Sequence, residues 1–194
     1  MSDDAEPKLL LLRARKGDTE AFGRLYELYF KPVYRYVYVR VGSRELAEDL
    51  TQTVFMKVYR SIDRFRVQEV SPLAYFFTVA RNTIIDHWKR KKETLFADLE
   101  IEADPPRGEM EAGGFAAPDR AGDALDLKKA HGAALAALSR LRANEREALT
   151  LKFVGQLSNR EIAKVMKKSE DAVRQLQSRG LKALRGELTE PLTP

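Results

Sequence analysis

A single acidic stretch, Glu93 to Asp126, limits what this chain can fold into. It holds ten acids (Glu93, Asp98, Glu100, Glu102, Asp104, Glu109, Glu111, Asp119, Asp123 and Asp126) against Arg107 and Arg120, a net −8. The whole chain carries +5 at pH 7, so the remainder sums to +13. The stretch also contains Pro105-Pro106, Gly113-Gly114 and Pro118, with no sustained apolar period. Such a segment buries too little apolar surface to offset the entropy of ordering it. It reads as a flexible acidic linker, residues 93–127, between two basic blocks. With 194 residues and 44% hydrophobic residues, the chain can build one larger core or two small ones. The linker favours two, in domains that fold separately and move relative to each other.

Both blocks read as helical. In the first, Leu9 to Arg15 is short and apolar on one side. Asp18 or Thr19 caps a helix carrying Phe22, Leu25, Leu28 and Tyr29. Pro32 predicts a break or kink near Phe30-Lys31, after which Val33, Tyr36, Val37 and Val41 continue to Gly42. Ser43 then caps a helix with Leu46, Ala47, Leu50, Val54 and Val58 on one face. Glu45, Glu48, Asp49, Gln52, Lys57 and Arg60 lie on the other. Ser71-Pro72 starts a further helix, cap followed by proline in the first turn. Its apolar side carries Leu73, Phe76, Phe77, Ala80, Ile84 and Trp88. Arg81, Asn82, Asp86, Lys89 and Arg90 lie off that side. The end of this helix, Trp88-Lys-Arg-Lys-Lys92, is a cationic cluster suited to phosphates. A basic helix end that meets the helix dipole explains it equally.

In the second block, Ser158 and Glu161 have capping-box spacing, and Ile162, Ala163 and Met166 follow at helical period. Ser169 caps another helix almost at once. Val173, Leu176, Gly180, Leu181 and Leu184 form its apolar stripe, and Arg174, Gln175, Ser178, Lys182 and Arg185 lie off it. Two helices across a tight turn, the second basic, are a device for entering the DNA major groove. The plain alternative is an amphipathic hairpin with a solvated charged face.

Composition excludes several functions. There is no cysteine, so no disulfide, thiolate metal site or thiol switch arises within this chain. His87 and His131 are the only imidazoles. No nucleophile–base constellation is evident, so no catalytic residue, metal or cofactor is assigned. No signal-peptide pattern and no bilayer-length apolar run appear in the sequence, which leads to the expectation of a cytoplasmic protein without membrane contact.

The residues also carry a resemblance. Ala47-Glu-Asp-Leu-Thr-Gln-Thr-Val-Phe55, continued by Ala74-Tyr-Phe-Phe-Thr-Val-Ala-Arg-Asn-Thr-Ile-Ile-Asp-His-Trp-Lys-Arg-Lys-Lys92, resembles the second conserved region of bacterial RNA polymerase sigma factors. Leu141-Arg-Ala-Asn-Glu-Arg-Glu-Ala-Leu149 with the helix-turn-helix resembles the fourth. Their order and spacing are similar to the extracytoplasmic-function (ECF) group of the sigma-70 family.

The resemblance implies an all-α protein of two small helical domains joined by the linker. Residues 9–92 correspond to region two and 128–186 to region four, with a disordered N-terminus (1–8) and a C-terminal tail (187–194). It implies a promoter-specificity subunit that performs no chemistry itself. Region two docks on the clamp helices of the largest polymerase subunit and opens minus-ten DNA; region four reads the minus-thirty-five element and touches the flap. Asp49 and Gln52 match the positions facing the clamp helices. Arg81, Asn82 and Asp86 match the stretch beside the minus-ten strand, with Lys89 and Arg90 in the cationic cluster beyond. The loop from Asp63 to Ser71 matches the loop that captures an unstacked base. Ser169, Glu170, Arg174, Gln175, Ser178 and Arg179 match the region-four contacts with DNA. An anti-sigma factor is a further partner that the family implies. The chain departs from the family pattern at Lys167, where glycine is usual; a left-handed backbone there costs lysine about 1 kcal/mol. The competing function is a helix-turn-helix regulator that does not bind core polymerase. It gives no reason for the block from Ala47 to Lys92.

Overall fold

The computed structural model describes residues 5–65, 71–96 and 136–189, which form helices and short turns with no strand among them. The linker and both termini lie outside the described residues. Helix α1 (Ala5–Arg15) buries Leu10, Leu11 and Ala14. Asp18 then caps α2 (Thr19–Val41), accepting from Ala21 N at 2.9 Å. Arg13 Nε donates to the same carboxylate at 2.8 Å. The α2 cap hydrogen bond and the Arg13 bond hold the Asp18 carboxyl below the usual carboxylate range.

Helix α2 is continuous, with Pro32 inside it. This corrects the expected break. Proline removes one donor and leaves the carbonyl of Leu28 unpaired by the helix. Leu28 is exposed, so water can serve that carbonyl, while Leu25, Tyr29, Val33 and Tyr36 carry the buried face past the proline. Leu28 therefore does not belong to the apolar face assigned to it. At Gly42 the backbone turns left-handed (φ 77°), and its N–H bonds Tyr38 O.

Ser43 accepts from Leu46 N and starts α3 (Arg44–Ser61), which ends in a 3-10 turn at Ile62–Arg64. Ser71 accepts from Ala74 N at 3.3 Å at the start of α4 (Pro72–Phe96). The helices α1 to α4 pack around Tyr29, Phe55 and Phe76, with ring centroids 5.1 Å apart for each pair involving Phe76. Burying each such ring stabilises the fold by about 1.5–3 kcal/mol. Tyr34, Tyr36 and Tyr38 alternate in sequence as in a strand, but all lie on α2 and pack into helical surroundings.

After a helical turn at residues 136–140 come α5 (Ala143–Phe153), α6 (Asn159–Met166) and α7 (Glu170–Thr189). The expected capping box is present: Ser158 accepts from Glu161 N, and Glu161 accepts from Ser158 N at 2.9 Å. Lys167 is left-handed (φ 54°, ψ 48°), the conformation anticipated at this position. A Cβ on Gly180 would lie 2.8 Å from Leu149 Cδ1, so α7 approaches α5 at the glycine. Leu181 is 40% exposed and lies outside the stripe assigned to it.

Separate, mutually mobile domains are expected from the linker. In the structure the halves pack against each other: α4 meets Asn159–Met166 and α2 meets Ala143–Phe153. One continuous apolar cluster runs from Leu10 through Phe77 to Ala148, Leu151 and Ile162. At the seam a Cβ on Gly155 would stand 2.9 Å from Phe77 Cε2, so glycine there permits the approach.

Candidate functional site

The assigned residues fall on three surfaces. The first is the outer face of α3. Asp49 and Gln52 are both exposed, one turn apart. Gln52 also borders an open groove lined by Thr19, Phe22, Tyr26, Phe55, Met56 and Tyr59. Tyr26, Met56 and Tyr59 are exposed at 40%, 56% and 46%. Their side chains form a contiguous apolar patch beside Gln52. Sequence reasoning missed this patch, because Tyr26 lies on α2 and Met56 and Tyr59 on α3, and each reads by itself as core or as an isolated surface residue.

The second surface is α4. Asn82, Asp86 and Lys89 lie on one side at spacings of four and three, with Arg90 beside them. Asp86 pairs with Lys57 Nζ at 3.4 Å, half exposed, which fixes α3 to α4 only weakly. Lys91 Nζ lies 5.4 Å from the Trp88 ring centre, a cation–π contact. Burial, and then Lys91 and Arg90, hold the His87 imidazole below its ordinary range. Arg81 stands apart from this group. It faces inward and its Nε donates to Glu147 Oε1 at 2.9 Å. At the two ends of the loop expected to capture a base, Phe65 packs on Tyr75 at 5.2 Å, and Ser71 donates to Glu161. Residues 66–70 lie outside the described residues.

The third surface is α7. Ser169 accepts from Ala172 N and caps the helix. Ser169, Glu170, Arg174, Gln175, Ser178 and Arg179 are all exposed. Gln175, Ser178 and Arg179 follow at helical spacing, and Lys182 extends the same ridge. Arg174 is engaged by Asp171 at 2.8 Å, a highly exposed pair that contributes little to stability. Gln177 Nε2 donates to Asn159 Oδ1 at 3.1 Å and ties α7 to α6. Helix α7 packs on α5 and α6, leaving its polar ridge outward. A basic ridge on the second helix of a helix-turn-helix has the chemistry to meet phosphates and base edges.

These features define a two-part helical protein with a DNA-binding helix-turn-helix and a second helical unit that bears its own polar and apolar surface. The comparisons with known proteins agree. Residues 25–94 match the family described as Sigma-70 region 2, and residues 131–184 match Sigma-70, region 4. The ECF RNA polymerase sigma factor BldN of Streptomyces coelicolor is 36% identical over 191 residues, covering 94% of this chain and 66% of that protein. The ECF RNA polymerase sigma factor SigM of Bacillus subtilis is 31% identical over 147 residues, covering 75% of this chain and 82% of that protein. In fold, the chain is similar to the sigma factor RpoE of Bartonella quintana, in complex with the anti-sigma factor NepR: TM-score 0.65, 22% identity, 88% of this chain and 98% of that one. This chain belongs to the ECF group of RNA polymerase sigma factors, the promoter-specificity subunits of transcription initiation. No helix among the described residues is long and apolar enough to cross a membrane.

Proposed function

We propose that this chain acts in the cytoplasm as a non-catalytic initiation subunit, and that its three surfaces divide the work. The α3 face with Asp49 and Gln52, together with the apolar patch of Tyr26, Met56 and Tyr59, meets the clamp helices of polymerase core. Asn82, Asp86, Lys89 and Arg90 on α4 lie along the minus-ten strand, joined by Arg81 when it is released from Glu147. The ridge of α7 enters the major groove at the minus-thirty-five element. An anti-sigma factor is the expected inhibitor, as NepR is a partner of the Bartonella protein.

The observation that carries this division is the placement of the apolar patch beside Gln52, one turn along α3 from Asp49 and away from the α7 ridge. A DNA-only regulator has no use for an exposed apolar surface beside Gln52. An interface that buries such a patch with a polar rim suits a protein partner. The test combines purified chain with polymerase core and genomic DNA and sequences the transcripts. Initiation at a defined promoter set is expected. Replacing Asp49 and Gln52 together by Ala should lower core affinity while the helical circular-dichroism signal stays intact. Unchanged core affinity removes the α3 assignment.

A further inference from the structure

Within the apolar contact between the two halves sits one buried carboxylate. Glu147, on α5, has 3% side-chain exposure and is surrounded by three groups from the other half of the chain. The Tyr36 hydroxyl donates to Oε1 at 3.0 Å. Arg81 Nε donates to the same oxygen at 2.9 Å. Arg40 NH1 lies 3.7 Å from Oε2 and also donates to Ala143 O at 3.4 Å. Both guanidinium groups are largely buried, at 11% and 17%. Burial, and then the neighbouring Glu147 charge, push the Tyr36 phenol well up, so it remains a donor. At the other end of the seam, Ser71 donates to Glu161.

We infer that Glu147 is a latch that holds the two domains closed, and that opening transfers Arg81 from Glu147 to nucleic-acid phosphate. The latch rests on the geometry alone; the transfer rests on the minus-ten reading above. A buried carboxylate is costly unless its partners satisfy it, which fixes the register of the closed form. Once the domains part, the carboxylate and both guanidinium groups regain water, so opening leaves no stranded charge. The apolar part of the same seam, Phe77 against Gly155 among it, is exposed to water on opening and favours the closed form. The carboxylate between Arg40 and Arg81 occupies the place that a phosphate would take on the opened first domain. Closure and DNA engagement by Arg81 thus exclude each other. The α7 ridge points outward and is not part of the seam.

The chain has no cysteine, so labels attach cleanly to Glu27→Cys and Ala183→Cys, both exposed and on opposite halves. Distances between the labels in the free full-length chain should form one short population. With Glu147→Gln the closed-to-open ratio should fall by about tenfold or more, since one charge of a buried cluster is lost. Ser71→Ala, at the far end of the seam, should shift it in the same direction by less. Circular dichroism and the thermal transition of each variant separate opening from misfolding. A broad distance distribution in the unmodified chain, or an unchanged one in a folded Glu147→Gln, overturns the latch. The second reading is affinity for a mixed-sequence single-stranded DNA 20-mer at low salt. Glu147→Gln should bind it more tightly, and the equally open double variant Glu147→Gln/Arg81→Ala, its openness checked by the label distances, should bind it more weakly than Glu147→Gln. Opening without that gain keeps the latch and removes Arg81 from the DNA surface.

Discussion

At the residue scale, two side chains show how local cost and function meet. Lys167 adopts a left-handed backbone, and its N–H bonds the carbonyls of Ala163 and Lys164 at the end of α6. The turn between the two helices requires this conformation, and glycine provides it without a Cβ clash. Lys167→Gly should therefore stabilise the second domain, by up to about 1 kcal/mol after the extra unfolded-state entropy is counted. Thermal unfolding reads this as a rise of a few degrees; a lower midpoint would show that the lysine contributes more than its backbone costs. Arg174 presents the second case. Its partner Asp171 is 82% exposed, so the pair can separate readily when DNA approaches. Arg174→Ala should cost about 1–3 kcal/mol and relax preference at one base pair. Asp171→Asn should tighten binding to every sequence alike, because it removes only a like charge to phosphate. A promoter-variant series at fixed salt distinguishes them, and equal weakening of all variants by Arg174→Ala would make it a phosphate contact.

At the element scale, the helix starts were legible in the sequence and the fine faces less so. Asp18, Ser43, Ser71, Ser158 and Ser169 each act as the cap that their position indicates, because capping is a local bond within one turn. Of the break or kink expected at Pro32, the break does not form, for a non-local reason: burial of Tyr29, Val33 and Tyr36 against the neighbouring helices holds α2 together across the missing hydrogen bond. Glu147 was legible only as an acid on the apolar side of α5, four residues before buried Leu151; its partners are more than sixty positions away. The capping box supports a prediction here. Ser158→Ala should cost about 1 kcal/mol by removing the cap of α6. Burial raises the pKa of Glu161, but hydrogen bonds from Ser71 and Ser158 outweigh it, and the net shift is downward. A depressed folded pKa means that Glu161 stabilises the fold above its unfolded value, and that this is lost as pH falls through the folded value. Stability should thus decline from just below pH 5 into stronger acid, and Glu161→Gln should flatten part of that decline. An unaltered acid limb in Glu161→Gln would assign the effect to other carboxylates.

At the scale of the whole molecule, the division into two helical units was legible because charge and Pro/Gly content change sharply at Glu93 and again after Asp126. The association of those units was not, since it depends on a carboxylate from one half meeting Tyr36, Arg40 and Arg81 from the other. Linker composition reports only on the linker; an interface formed by distant side chains leaves no period in the sequence. This difference sets a test of the whole chain. The acidic segment is rich in features that proteases accept, so limited digestion should cut between Glu93 and Asp126. Two halves free to move would then separate. Halves joined by a buried polar cluster and by Phe77 against Gly155 should instead stay together after the cut, and co-elute in size-exclusion chromatography at the position of the intact chain. Tethering raises the effective concentration of one half around the other to about the millimolar range, and cutting the linker removes that advantage. Co-elution at micromolar protein therefore requires the seam itself to bind with at least micromolar affinity. Dilution should separate the fragments of the nicked Glu147→Gln chain at a higher concentration than those of the unmodified one. If both nicked chains fall apart at the same concentration, the seam is held by its apolar contacts and Glu147 sets only its register.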